Sequence, residues 1–132
     1  MVADRDPTGE NPFTLFWRTQ KIKKREKERL EMAERWLEFV GLTDHRTMYA
    51  ENLSYGQQKL LALARLLYGD FKLFLIDEPV SGVNPKMIGI ILKKIRELTT
   101  LEKTVVLVEH NMTAVKEIAD VVNFMDEGKI LS

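Results

Sequence analysis

Apolar positions recur at helical spacing in the first half of the chain and as short unbroken runs in the second. From Arg18 to Val40, Leu30, Ala33, Leu37 and Val40 repeat at helical intervals in a highly charged segment, and Gly41 is a natural stop. The spacing predicts one long helix. Ahead of it, Phe13–Trp17 is a small apolar cluster that needs something to pack against, and residues 1–12 mix turn formers with charge and are expected to lack fixed structure. Ser54–Gly69 encloses KLLALARLLY, apolar on nearly every face, which predicts a buried helix ended by Gly69-Asp70.

Beyond residue 71 strands and helices alternate. Lys72–Ile76 is a continuous apolar run ending in Asp77-Glu78-Pro79, the pattern of a strand buried on both faces of a parallel sheet. Asn84-Pro85 supplies an N-cap and a first-turn proline for a helix whose Ile88, Ile91, Ile95 and Leu98 form one apolar stripe. Thr104–Val108 predicts a second buried strand, followed by Glu109-His110 and a short amphipathic helix. Val121–Met125 and Lys129–Leu131 predict two final strands joined around Glu127-Gly128. This order argues for an α/β fold with parallel strands, preceded by a helical lobe. The divisions expected are 1–12, a helical subdomain over 13–71, and an α/β part over 72–132.

Composition narrows the partners. Twenty basic residues balance twenty acidic ones, so no global field favours nucleic acid or an anionic membrane. The basic run Lys21, Lys23, Lys24, Arg25, Lys27 and Arg29 is interleaved with Glu26, Glu28 and Glu31, which fits a solvated helix face better than a phosphate-binding patch. No cysteine is present, so disulfides and thiolate metal sites are excluded. The longest apolar run is broken by Arg65 and too short to span a bilayer, and no secretory signal is evident, so a soluble, cytoplasmic protein is expected.

Three features carry candidate chemistry. Asp77 and Glu78 end a strand, where open α/β sheets bind ligands. Asp77 suits magnesium, which prefers oxygen ligands, and Glu78 suits polarising a water for attack on a phosphoryl group. Ser54 and Gln57, three residues apart, form a capping box at the start of the buried helix. Gly56 is unexplained by the cap, and close approach of an anion to bare backbone amides is one reason for it. His110 follows the second strand, within reach of a ligand beside Asp77. His45, in the loop before Ser54, has no spacing pattern that marks it as a metal ligand.

In order and spacing, LSYGQQ, LFLIDEP, SGVNP and VLVEH strongly resemble the ABC ATPase family from about Phe13 to the end of the chain. The resemblance implies a partial P-loop NTPase core. It makes Ser54, Gly56 and Gln57 contacts to the γ-phosphate of ATP held by the opposite subunit. By the same resemblance, Asp77 helps hold Mg2+, Glu78 is the general base, His110 senses the γ-phosphate, and Ser81–Asn84 is the D-loop. The variants look most like ATPases of branched-chain amino acid importers. Tyr55 stands where the family usually has glycine, and Asn84 where it usually has aspartate.

No GxxxxGK[ST] occurs in the sequence, and the family's Q-loop is also absent. The expectation is an isolated chain without activity, requiring the N-terminal ATPase half or a second cassette, and serving a transmembrane permease subunit. Unpaired sheet edges predict a homo-oligomer or a domain-swapped form. A DNA-repair or chromosome-maintenance cassette is the other alternative, but the helical stretch before the signature is too short and irregular for it.

Overall fold

Local capping chemistry sets most of the element boundaries. The structure, a computed structural model, describes residues 12–131; of the stretch 1–12 expected to lack fixed structure, residues 1–11 lie outside the described residues and Pro12 begins a helix. Helix α1 runs over Pro12–Phe39. It therefore takes in the Phe13–Trp17 segment that the spacing placed ahead of the helix. Proline at the first helical position explains the earlier start, because its φ is already helical. The helix stops at Gly41, whose φ is +75°. There the Gly41 N–H donates to the Glu38 carbonyl at 2.9 Å and the Leu42 N–H to the Leu37 carbonyl at 2.8 Å. These are the paired bonds of a Schellman motif, which needs a left-handed residue at this place.

Two 3-10 turns, Thr43–His45 and Ala50–Asn52, lead to helix α2 (Tyr55–Tyr68). Strand β1 (Leu73–Asp77), helix α3 (Pro85–Thr100) and strand β2 (Thr104–Val108) then form one β-α-β unit. The two strands pair in parallel, from Leu73 opposite Thr104 to Asp77 opposite Val108. Asn84 caps α3 as the sequence predicts, its side chain accepting from the Met87 N–H at 3.1 Å. Helix α4 (Met112–Ile118) is capped by Asn111, which accepts from the Thr113 and Ala114 N–H groups. Strands β3 (Met125–Asp126) and β4 (Lys129–Ile130) form a separate antiparallel pair.

One hydrophobic cluster joins these parts. Leu60, Leu63 and Leu67 of α2 meet Ile91, Leu92, Ile95 and Leu98 of α3, with Phe74 of β1 and Val40 and Leu42 after α1. Full burial of each such leucine contributes roughly 1.5–3 kcal/mol relative to exposure. The predicted stripe on α3 holds with Leu92 added, and Ile88 is half-buried at its start.

Four expectations change. Leu30 is exposed, because nothing among the described residues packs on residues 20–32 of α1. Helix α2 buries one side only, leaving Ala62, Leu66 and Tyr68 exposed. The strands are covered on one face, not two. Phe74, Ile76 and Val105 join the core, while Leu73, Leu75, Val106 and Val108 stay 53, 72, 50 and 60% exposed. Helices cover one side of the pair and no described element covers the other. Last, the predicted strand Val121–Met125 shrinks to Met125–Asp126 and stays outside the parallel sheet. The Phe124 carbonyl still accepts from the Leu131 N–H at 2.8 Å, but residues 121–123 belong to no strand, so their β propensity goes unused.

Candidate functional site

The parallel pairing of β1 and β2 places the two strand ends side by side, so the residues that follow them meet. Asp77 is the last residue of β1, paired with Val108, and it is exposed. Glu78 comes next and turns sharply, with φ of +43° although it is not glycine and precedes proline. Residues in that region cost of order 1–3 kcal/mol unless their surroundings hold them. Here the Glu78 N–H donates to the Val108 carbonyl at 2.9 Å. Its own carbonyl accepts from Lys59 Nζ at 3.2 Å. The turn then aims the side chain at His110, whose Nδ1 lies 3.2 Å from Glu78 Oε1. Both residues are solvent-exposed, so the pair is open to a ligand arriving from outside.

A third carboxylate locks this corner. Glu109 Oε1 accepts from the Val80 N–H at 3.3 Å, and its Oε2 accepts from the Asn111 N–H at 3.2 Å. One side chain thus ties the turn after β1 to the turn after β2, and so fixes the frame on which Glu78 and His110 sit. Sequence reasoning passed over Glu109. Its signal was an acid at a strand end beside His110, the same logic that singled out Asp77.

The start of α2 forms the second part. Ser54 and Gln57 make the predicted capping box: the Ser54 side chain accepts from the Gln57 N–H at 3.4 Å, and Gln57 Oε1 accepts from the Ser54 N–H at 2.9 Å. Gly56 is buried against α3. A Cβ there would lie 3.1 Å from the Met87 side chain, so close packing gives this glycine a structural reason of its own. Tyr55 lies across Gly82, a left-handed glycine at +71° in the Ser81–Asn84 loop, and the Lys59 ammonium stands 5.4 Å from the centre of the tyrosine ring. Lys59 therefore connects the first turn of α2 to the Glu78 carbonyl, a link that only the i, i+4 offset from Tyr55 hinted at. No hydrogen bond joins the Ser54–Gln57 cap directly to the Glu78–His110 pair among the described residues. The two parts approach each other through Tyr55, Lys59 and Gly82.

Asp77 and Glu78 offer carboxylate oxygens, but no group of three or more His, Cys, Asp or Glu side chains gathers into a metal cage among the described residues. That donor set fits magnesium, which is commonly held by one or two carboxylates together with substrate phosphates. Among the described residues no helix is long and apolar enough to cross a membrane.

The ABC transporter family model matches residues 4–81, which include the α2 cap and the Asp77–Glu78 turn. The glutamine transport ATP-binding protein GlnQ of Geobacillus stearothermophilus is 42% identical over 106 residues, covering 80% of this chain and 44% of that protein. The high-affinity branched-chain amino acid transport ATP-binding protein LivG of Escherichia coli is 32% identical over 133 aligned positions, covering 100% of this chain and 52% of its own length. The crystal structure of a nucleotide-free ATP-binding cassette from an ABC transporter superposes with a TM-score of 0.77 at 31% identity, over 95% of this chain and 49% of the other. The chain thus spans about half the length of the curated relatives it matches. With the strand-end carboxylates, the capped helix and the β-α-β unit between and beside them, the chain belongs to the ABC transporter family, as part of its ATP-binding domain.

Proposed function

We propose that this chain supplies the signature helix and the carboxylate-bearing strands of an ATPase that drives amino acid import. The observation that carries the reading is the Glu78–His110 pair, 3.2 Å apart at the ends of two adjacent parallel strands and next to Asp77. In this role Glu78 takes a proton from the attacking water, and His110 holds the carboxylate in line and meets the γ-phosphate. Asp77 would help hold magnesium, which when bound would supply charge neutralisation at the phosphates. Ser54, Gly56 and Gln57 present a helix N-terminus to ATP bound by an opposite subunit.

The amino acid part of the proposal rests on the names of the glutamine and branched-chain relatives. A transmembrane permease is the partner it requires, with the cassette docked at the inner membrane face through the helical lobe 13–52. Residues 72–132 then make up the second half of the ATPase core. With no GxxxxGK[ST] in the sequence, the phosphate-cradling loop has to come from an N-terminal ATPase half, and the chain alone is inactive. A second reading, a non-catalytic module that self-associates as a dimer or domain-swapped form, is favoured by the exposed apolar face of β1 and β2.

Calorimetric titration of MgATP into the purified chain tests the half-site reading. No heat of binding is expected. Binding that Asp77→Ala abolishes would mean the chain builds a complete nucleotide site of its own.

A further inference from the structure

His45 belongs to the first 3-10 turn, and its Nε2 lies 3.0 Å from Nε2 of Gln57. Gln57 already has a fixed orientation, because its Oε1 accepts from the Ser54 N–H at 2.9 Å. A flipped carboxamide would set its NH2 group against that N–H, donor against donor. The NH2 group therefore faces the histidine. An amide nitrogen only donates, so His45 Nε2 has to accept, and the neutral ring has to carry its proton on Nδ1. His45 Nδ1 is buried and has no hydrogen-bond partner among the described residues. The ring gains nothing at Nδ1 from this placement, and its polar contact is spent on Gln57.

We infer that His45 is a positioning residue for the signature helix: as the Nδ1–H tautomer it accepts a hydrogen bond from Gln57 and locks that side chain into the cap. The capping box becomes a three-residue arrangement, with His45 holding Gln57 and Gln57 holding the Ser54 amide. What this does for nucleotide contact rests on the role proposed above for Gln57. The tautomer and the lock do not.

The test uses the 132-residue chain without nucleotide, so its failure is distinct from failure of the ATPase reading. Long-range proton–nitrogen correlation spectra at a pH where the rings are neutral report the tautomer, with His110→Asn to assign the two histidines. His45 is expected to be protonated at Nδ1 and bare at Nε2. A ring protonated at Nε2 overturns the inference. Amide exchange of the Ser54 N–H is the second readout. His45→Leu is expected to speed it roughly twofold to tenfold, the factor that an ordinary side-chain hydrogen bond represents. His45→Gln, which restores an acceptor, should slow it again. Ser54 exchange unchanged in His45→Leu, or equally fast in both variants, overturns the positioning role.

Discussion

Glu78 directs its carboxylate toward His110 from a left-handed backbone that few non-glycine residues adopt. The Val108 carbonyl, the Lys59 ammonium and the turn bond from the Ser81 N–H hold it there. Strain that persists under such restraint commonly marks a working residue. A direct consequence is that Glu78→Gly should be more stable than Glu78→Ala by about 1 kcal/mol, because only glycine adopts this φ without steric cost. Denaturant unfolding of the two variants measures the difference, and an alanine variant as stable as the glycine one would deny the strain. Glu109 matters for a different reason. The Val80 N–H it receives belongs to a buried residue, so removing the carboxylate leaves that amide without its partner. Glu109→Ala should therefore cost about 1–3 kcal/mol in the same assay.

At the scale of elements, what was legible in the sequence was local. The Ser54–Gln57 box and the Asn84-Pro85 start of α3 depend on residues three apart, and spacing alone exposes them. Val80, Glu78 and Gln57, which Glu109, Lys59 and His45 respectively reach, lie 29, 19 and 12 residues away, where no periodicity reaches. Burial was the other limit. The run Leu73–Ile76 is apolar throughout, which fits a strand covered on two faces, yet coverage depends on which elements stack in space. At the far end of β1, Lys103 Nζ sits 2.8 Å from the Asp70 carboxylate. That hydrogen bond, and then the lysine's charge, hold the Asp70 carboxyl below its ordinary value. A depressed carboxyl contributes stability above the unfolded value, near pH 4, and loses it as the pH falls through the lowered folded value. The gap in melting temperature between the wild type and Asp70→Asn should be open at neutral pH and close in acid. Because Asp70 is exposed, the gap should also shrink with added salt.

Across the whole molecule, the two halves of the chain share one core, and no described element covers the second face of the parallel pair. Leu73, Leu75, Val106 and Val108 alternate along neighbouring strands and so fall on one side. An apolar patch of that kind drives association unless something covers it. Light scattering at rising concentration should find oligomers, and Leu75→Lys with Val108→Lys should shift the chain toward monomer. A wild-type chain that stays monomeric would count against the association.

The proposed role of Glu78 is that of the base in ATP hydrolysis. Its most direct test replaces the aligned segment of GlnQ with this chain and measures MgATP hydrolysis before and after Glu78→Gln. Loss of at least roughly a hundredfold in turnover, the scale of a general base removed, is the predicted result. Hydrolysis that survives Glu78→Gln undiminished would contradict it.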